Sequence, residues 1–345
     1  TLLVAYFFIT FSVLGYGLFF EKIYEKKSIG KNLGFTGLLG IFFLILYSYI
    51  SHYFITHNIY HNSIIIFIGF VLFFYFYKEI LIKKNLLILI SLLLISFASL
   101  LIYKTHDDFH YYHFPYSFYL TQHSALIGIG QFNHGFRTPS SIFYLNSLFY
   151  LPYFKFYFFN APNLLFLIFF ILFSIDYIFK KNSDIIINFF TLFSLIFVIV
   201  KFSRLSEFGT DLSGQLLITT CFIYLFKIIY DKKICIPDLK TLIIFVTLSI
   251  TIKTYFIFFS LIIIFSLYSI GYKNAINFIK SNILFNFFII IFITIFFILN
   301  IFSTGCLIFP LADTCFNQLS WSMPSSEVVD YNIWFQAWAK SLGGA

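Results

Sequence analysis

Ten apolar runs separated by short connectors constrain this chain more than any other feature of its sequence. Hydrophobic residues make up 60% of the 345 residues and charged residues only 10%. A soluble domain carries roughly 25% charged residues, so the composition excludes a soluble fold and predicts helices that cross a bilayer. The runs cover residues 2–20, 33–50, 62–77, 86–103, 160–179, 185–200, 214–230, 241–253, 255–271 and 283–302.

The basic residues predict the orientation of these helices. Short connectors rich in Lys and Arg stay on the cytoplasmic side of a membrane. Placing the basic connectors inside accounts for the net charge of +8 without any nucleic-acid partner. The connectors contain Lys22, Lys26, Lys27, Lys31, Lys78, Lys83, Lys84, Lys180, Lys181, Lys227, Lys232, Lys233, Lys240, Lys273 and Lys280.

All eight histidines then fall on the outer side, which predicts that polar chemistry is concentrated there. They are His52, His57, His61, His106, His110, His113, His123 and His134. Residues 139–157 are also apolar. Counting them as a span would move every later basic connector to the outer side of the membrane. Pro139 and Pro152 bracket this stretch, which favours a short juxtamembrane or re-entrant helix on the outer face.

The predicted fold is therefore an all-α, polytopic transmembrane helical bundle of about ten spans with outer-face juxtamembrane helices. Residues 241–271 are too long for one helix at about 1.5 Å per residue, so a hairpin near Lys253 is expected. We divide the chain into N-terminal helices at 1–85, a transmembrane core at 86–302 and an outer segment at 303–345. The core carries outer loops at 104–138 and 201–213, and the outer segment is expected to continue past Ala345.

The first outer loop contains the strongest candidate for chemistry. Asp107 and Asp108 follow His106, and His110 and His113 come after them at helical spacing. Charges at the point where a helix leaves the bilayer are costly and usually functional. A solvated interfacial loop and a divalent metal site formed by Asp107, Asp108 and His110 are the two alternatives.

Cations on the outer side are candidates for binding an anion. Arg137 is able to hold a phosphate through two parallel hydrogen bonds or to extend toward lipid headgroups. Lys253 either extends to the outer surface or faces the bundle, where it needs a carboxylate or a phosphate. Arg204, Glu207 and Asp211 follow one another at spacings of three and four, which fits either a salt-bridge ladder or an acidic site.

The positions of the cysteines and the absence of several motifs reduce the number of candidate functions. Cys306 and Cys315 lie in the outer segment, where an oxidising compartment favours a disulfide. Cys221 and Cys235 are expected to be free thiols. The sequence has no Walker loop, dinucleotide-binding glycine motif, serine-hydrolase elbow or HExxH motif, so those functions have no support.

The order of these features resembles the multispanning glycosyltransferases of the GT-C superfamily, of the protein O-mannosyltransferase and aminoarabinose transferase type. The resemblance lies in His-Asp-Asp-Phe-His at 106–110, Thr-Pro-Ser-Ser-Ile-Phe-Tyr-Leu at 138–145, Phe-Gly-Thr-Asp at 208–211 and Ile-Lys-Thr at 252–254. More spans precede the acidic loop here, and Ser140 stands at the second proline of the motif. The chain also resembles bacterial membrane proteins of polysaccharide gene clusters, particularly in Gly-Cys-Leu-Ile-Phe-Pro at 305–310.

The resemblance implies an inverting transfer of a hexose or pentose from a polyprenyl-phosphate donor to a hydroxyl on a glycan, lipid or protein. Asp107 or Asp108 would be the base. We expect a bacterial inner membrane, with the site facing the periplasm. Substrate-binding candidates are His106, His110, His113, Arg137, Tyr144, Arg204, Glu207, Asp211 and Lys253.

Two other functions compete with this prediction. A transporter or flippase of lipid-linked glycan intermediates needs the same apolar groove and cations but no base, and it predicts charges along a path inside the spans. Apart from Lys253 and Asp176, the predicted spans hold few charges, which counts against a transporter. A non-catalytic subunit of an envelope complex is the third possibility.

Overall fold

The computed structural model describes residues 1–24, 32–77, 83–101, 108–179, 184–201, 210–230 and 236–340. These residues form helices and turns and contain no β-strand, in agreement with the predicted all-α class. The helices are α1 Leu2–Tyr24, α2 Leu33–Ser51, α3 Ile59–Phe76, α4 Lys83–Leu101, α5 Phe114–Gln122, α6 Ser141–Leu148, α7 Ala161–Ile178, α8 Ile185–Lys201, α9 Thr210–Tyr230, α10 Ile236–Ile252, α11 Ser260–Ser269, α12 Tyr272–Ser281, α13 Ile283–Thr304 and α14 Ser325–Ala339.

Each of the ten apolar runs overlaps one helix, but the predicted number of spans is not confirmed. Six helical segments of the described chain are long and apolar enough to cross a membrane. The apolar segments of α4 and α8 are each only 17 residues long, about 26 Å of helix against roughly 30 Å of hydrocarbon. The six are Leu2–Ile23, Leu33–Ser51, Ile59–Phe76, Phe156–Ile178, Thr210–Tyr230 and Ile283–Thr304.

The chain bends sharply at two places in its C-terminal third, at Lys253 and before α12. α10 ends at Ile252, Lys253 is extended, and a 3-10 turn at Thr254–Phe259 leads into α11, which packs against α9 and α10. The segment Thr254–Ser269 then meets α12 at 110°. If this bent pair is counted as one span, the described chain has seven candidate spans.

Local sequence signals explain where the helices begin and end. The side chain of Asn32 caps α2 by accepting a hydrogen bond from the Phe35 amide at 2.9 Å, which satisfies one of the free amides at a helix start. Pro162 lies in the first turn of α7, where its missing N–H costs nothing. Gly305 ends α13 with a φ of 82°, a backbone conformation that glycine adopts without steric cost.

Small residues allow the first three helices to approach closely. α1 packs against α2 and α3. A Cβ at Gly15 would lie 1.9 Å from the carbonyl oxygen of Gly69, and one at Gly40 would lie 1.9 Å from that of Val13. Helices in a membrane associate mainly through such close contacts, because lipid gives no hydrophobic driving force.

Contacts between helix ends show how the bundle is arranged. At one end, Asn85 at the start of α4 bonds to Asp176 near the end of α7 at 3.2 Å. There too, Lys227 near the end of α9 pairs with Asp238 at the start of α10. The opposite end holds the 52–58 connection, the segment 108–160, Lys253 and the segment 305–340, which side-chain contacts join to one another and to the starts or ends of α9 and α10. We call this second end the polar end.

The helix predicted from residues 139–157 is α6, and it does not cross the bundle. Its eight residues make about 12 Å of helix, and every one of them is buried. The hydroxyl of Ser140 caps it at the Ile142 amide and donates to the Ile252 carbonyl at 2.7 Å. α6 packs against α2, α5, α7 and α10, so it forms the floor of the polar end.

Candidate functional site

Two carboxylates from different parts of the chain lie near one tyrosine at the polar end. Asp108 begins the π turn Phe109–His113, which contains Tyr112, and Asp211 lies in the first turn of α9. Burial raises the pKa of the Tyr112 phenol, and the nearby charges of Asp108 and Asp211 raise it further. The carboxylate of Asp108 also raises the pKa of Tyr112 through a direct side-chain interaction. We call Asp108, Tyr112, Asp211 and Lys253 the acid cluster.

Lys253 completes the acid cluster by pairing with Asp211. Its extended backbone lets the side chain leave the axis of α10 at the break in the chain. The ammonium group lies 5.5 Å from the centre of the Tyr255 ring. The side chains of Lys253 and Asp211 are 43% and 56% exposed, so a ligand at the polar end is able to reach the pair.

Arg137 connects the loop before α6 to the outer segment. Its guanidinium bonds to the Glu327 carboxylate at 2.6 Å and to the Gly130 carbonyl at 3.2 Å. It also lies over the rings of Phe309 and Tyr331, at 5.7 and 5.1 Å from their centres. The side chain is only 12% exposed. Arg137 therefore anchors α14 beside the acid cluster.

His134 lies between Arg137 and the acid cluster. Its Nδ1 is 2.5 Å from the Tyr111 hydroxyl. Partial burial lowers the pKa of His134, the positive charge of Arg137 lowers it further, and the negative charge of Asp108 opposes the shift. A neutral imidazole in this position exchanges hydrogen bonds with hydroxyl groups as either donor or acceptor.

The structure separates several residues that the sequence grouped together. His110 is exposed, whereas His113 is buried and packs against the rings of Tyr112 and Phe143, at 4.2 and 5.4 Å. The π turn changes the angle between residues three apart, so these histidines do not share the face that an α-helix would give them. Asp107, His106, Arg204 and Glu207 lie outside the described residues.

Tyr144 lies beneath the acid cluster rather than in it. The side chain is 2% exposed and packs edge-on against Tyr49, with ring centres 4.9 Å apart. Burial raises its pKa, and the neighbouring Tyr116 raises it further. Among the described residues no three His, Cys, Asp or Glu side chains lie close enough to hold a metal ion.

A buried polar network beneath the site was not predicted in detail. His57 bonds to Ser51 at 2.9 Å and to Ser147 at 2.7 Å, which ties the α2–α3 connection to α6. The Asn62 amide donates to the carbonyl oxygens of His57 and Ser147 at 2.7 and 2.8 Å. The grouping of all histidines on one side was the sequence signal for this network.

The outer segment is closed by a disulfide and supplies residues that the sequence did not indicate. Cys306 and Cys315 are joined, and Cys221 is a buried free thiol. Cys235 lies outside the described residues. Glu327, Tyr331 and Trp334 of α14 reach the polar end, although α14 is more than 70 positions beyond Lys253. No motif in the sequence linked them to the acid cluster.

The fold and site define a helical membrane protein with a charged, tyrosine-containing site at one end of its bundle. The chain matches the family described as "Domain of unknown function (DUF8201)" over residues 1–343 and belongs to that family. No curated protein matches the chain. No solved structure matches it either.

Proposed function

We propose that this protein is a membrane glycosyltransferase that moves a sugar from a polyprenyl-phosphate donor to a hydroxyl acceptor. The observation that carries the proposal is the pair of Lys253 with Asp211 at the polar end, where the charges of Asp211 and Asp108 act on the same phenol, that of Tyr112. These residues come from the first loop, the second loop and the helix break. They are three of the regions in which the sequence resembles GT-C enzymes.

Asp108 is the proposed base among the described residues. An acceptor hydroxyl is a weak nucleophile, so a carboxylate takes its proton as the oxygen attacks the anomeric carbon of the donor. The new bond joins the acceptor oxygen to that carbon, and the bond from the carbon to the phosphate oxygen breaks. The electron pair leaves with the polyprenyl phosphate, the anomeric carbon inverts, and the proton on Asp108 returns to water.

Lys253 is the proposed partner of the departing phosphate. The leaving group gains negative charge in the transition state, and a fixed cation stabilises that charge more than it stabilises the bound donor. An ammonium group has three donors, so Lys253 is able to bind a phosphate oxygen while Asp211 holds its position. Arg137 is bonded to Glu327 and serves instead to position the outer segment.

The donor and acceptor impose few further requirements. A polyprenyl chain needs an apolar surface, which the exposed aliphatic and aromatic side chains of the bundle supply. We place the reaction at the outer face of a bacterial inner membrane, for synthesis of envelope polysaccharide, lipid or glycoprotein. A flippase of the same lipid-linked glycans would use the apolar surface and Lys253 but would not need a base.

Transfer of labelled sugar from total polyprenyl-linked donors tests the proposal. We would compare membranes carrying wild type, Asp108→Asn and Asp107→Asn at matched expression. Asp313→Asn is the matched control, because Asp313 is an exposed carboxylate of the outer segment. The amide keeps the shape of the side chain but cannot accept the proton, so Asp108→Asn should lower turnover by about 10²- to 10⁴-fold.

The pattern of losses separates the candidate functions. Donor binding that survives in Asp108→Asn while transfer is lost supports a base. Loss confined to Asp107→Asn would move the base to Asp107. Equal transfer in all four proteins would remove the acidic loop from catalysis and leave transport as the better function.

A further inference from the structure

Four aromatic rings lie together beside the acid cluster, and the proposed chemistry uses none of them. His134 lies at the centre of the group, with its ring centre 4.6 Å from Tyr111, 6.2 Å from Tyr331 and 6.3 Å from Trp334. Tyr331 and Trp334 are 5.4 Å apart. We call Tyr111, His134, Tyr331 and Trp334 the aromatic cup.

Three of the four rings of the cup are exposed. Tyr111 and Trp334 are each 43% exposed, and His134 is exposed as well. α14 is attached to the outer segment by Val328, which is fully buried against Cys306, Phe309 and Met323, and by Tyr331, which packs against the same cluster. Tyr111, His134 and Trp334 are not part of that cluster, so their exposed faces are not needed to hold α14.

Polar groups line the edge of the cup. Arg137 and Glu327 pair beside Tyr331, and the Tyr111 hydroxyl meets the imidazole of His134. The pKa of Tyr112 is raised by burial first and then by the charges of Asp108 and Asp211, with a smaller contribution from Tyr331. Tyr331 of the cup and the two carboxylates thus lie near the same phenol.

This combination of groups fits one class of ligand. A pyranose ring presents C–H bonds on its faces and hydroxyls around its edge, so it packs on aromatic rings while its hydroxyls bond to charged and polar groups. Binding sites for small molecules commonly combine aromatic walls with a few placed polar groups. An alkyl chain would use the rings but would make no hydrogen bond to the exposed imidazole of His134 or to the Glu327 carboxylate, which is 49% exposed.

We propose that the aromatic cup binds a pyranose ring of a substrate and holds it against the acid cluster. This inference deepens the proposed glycosyltransferase function and rests on it for the identity of the substrate. The ring belongs either to the donor or to the acceptor, and both present the same face to Trp334. The cup is a positioning site, because none of its four rings takes part in bond making or breaking.

The test is direct binding of soluble sugars to the purified full chain in detergent. The probes are methyl α-D-glucopyranoside, methyl α-D-galactopyranoside and methyl α-D-mannopyranoside, observed by saturation-transfer NMR. Sorbitol is the control ligand, because it has similar hydroxyls but no ring. We expect saturable binding of at least one glycoside, strongest transfer to the C–H protons of one ring face, and no saturable signal from sorbitol.

Substitutions in α14 sharpen the test. Trp334→Ala should weaken glycoside binding about tenfold, and Trp334→Phe, which keeps a ring, by no more than about threefold. Trp338→Ala is the matched control, because Trp338 is 68% exposed on the same helix and contacts Phe335 instead of the cup. Wild-type affinity in Trp334→Ala, or no saturable binding of any glycoside to wild type, would overturn the inference.

The sugar-transfer assay distinguishes the two proposals. In Trp334→Ala, a higher KM for the donor or for the acceptor at nearly unchanged kcat identifies which substrate carries the ring. Glycoside binding in a protein without transferase activity would support the cup and remove the glycosyltransferase. Normal KM values for both substrates in an active Trp334→Ala protein would remove the cup and leave the transferase.

Discussion

The ammonium group of Lys253 pairs with the carboxylate of Asp211, although the two residues are 42 positions apart in the chain. Lys253 follows the last residue of α10, and Asp211 lies in the first turn of α9. The negative charge of Asp211 also suits the positive end of the α9 dipole. Because both side chains remain about half exposed, the pair is accessible to an anionic ligand.

Replacing Lys253 should reduce function far more than stability. Exposed ion pairs contribute about 1 kcal/mol or less to stability, so Lys253→Met should change the free energy of unfolding by no more than that. Loss of the cation beside the leaving phosphate should lower sugar transfer by at least about tenfold. Thermal unfolding in detergent and the transfer assay provide the two measurements.

Lys273→Met is the control for this substitution, since Lys273 is exposed in α12 at the opposite end of the bundle. It should leave both stability and transfer unchanged. A loss of transfer in Lys253→Met that simply follows the fraction of unfolded protein would contradict the assigned role.

Stability should fall as the pH is lowered from about 6.5 to about 4, because of the buried histidines. Burial lowers the pKa of His52 to about 4. Burial also lowers the pKa of His57, and the neighbouring His52 and His61 lower it further. The unfolded chain, in which His titrates near its ordinary pKa of about 6.5, therefore binds protons that the folded protein does not. Each such histidine contributes a slope of up to about 1.4 kcal/mol per pH unit within that window.

Replacing the imidazole of His52 should remove its contribution to the dependence of stability on pH. Thermal unfolding of His52→Gln across pH 4 to 7 should depend less on pH than that of wild type, even if the variant is less stable at pH 7. His110→Gln is the control, since His110 is exposed. Identical slopes for wild type and His52→Gln would show that His52 does not carry this pH dependence.

The helices were predictable because each is a local property of the sequence. Apolar runs, Asn32 as a cap and the break at Lys253 all act within a few residues. The number of spans was harder to predict. The apolar parts of α4 and α8 are at the lower limit of length for crossing a bilayer, and for such helices packing decides whether they cross it. The short α6 followed from the two prolines and from the need to keep basic connectors on one side.

The acid cluster was only partly predictable. Local pattern points to three of its residues, because Asp108 and Asp211 lie in the predicted outer loops and Lys253 lies at the predicted helix break. Their neighbour Tyr112 and the pair of Arg137 with Glu327 depend on contacts between segments far apart in the chain. A sequence without aligned relatives carries no signal for which of 25 tyrosines will lie beside two carboxylates.

Breaking the disulfide should increase local opening of the outer segment without unfolding the bundle. Cys306 and Cys315 close a loop of nine positions, for which the chain-entropy estimate is about 2 to 3 kcal/mol. The loop contains Phe309, which packs against Arg137. Hydrogen exchange should therefore rise in 305–331 of Cys306→Ala/Cys315→Ala while exchange in α2 and α7 stays unchanged.

Asp313→Asn lies in the same loop and should leave exchange at the wild-type level. The same comparison should be made on wild type after reduction, which should reproduce the effect of the double substitution. Faster exchange throughout the bundle would show that the disulfide stabilises more than the outer segment.

Breaking the pair of Lys227 with Asp238 should cost more stability than breaking the pair of Lys253 with Asp211, and salt should weaken it less. The side chains of Lys227 and Asp238 are only 19% and 11% exposed, and their atoms are 2.5 Å apart. Removing one partner leaves a mostly buried charge, which costs several kcal/mol in fully buried cases, so Lys227→Met should destabilise by about 2 kcal/mol.

Replacing both partners removes the uncompensated charge, so Lys227→Met/Asp238→Asn should recover much of that loss. A double-mutant cycle by thermal unfolding at low and high salt measures the coupling between the two side chains. The coupling should persist at 1 M salt, because buried pairs are screened less than exposed ones, whereas that of Lys253 with Asp211 should nearly vanish. If salt removed both couplings equally, the pair of Lys227 with Asp238 would be as open to solvent as the pair at the polar end.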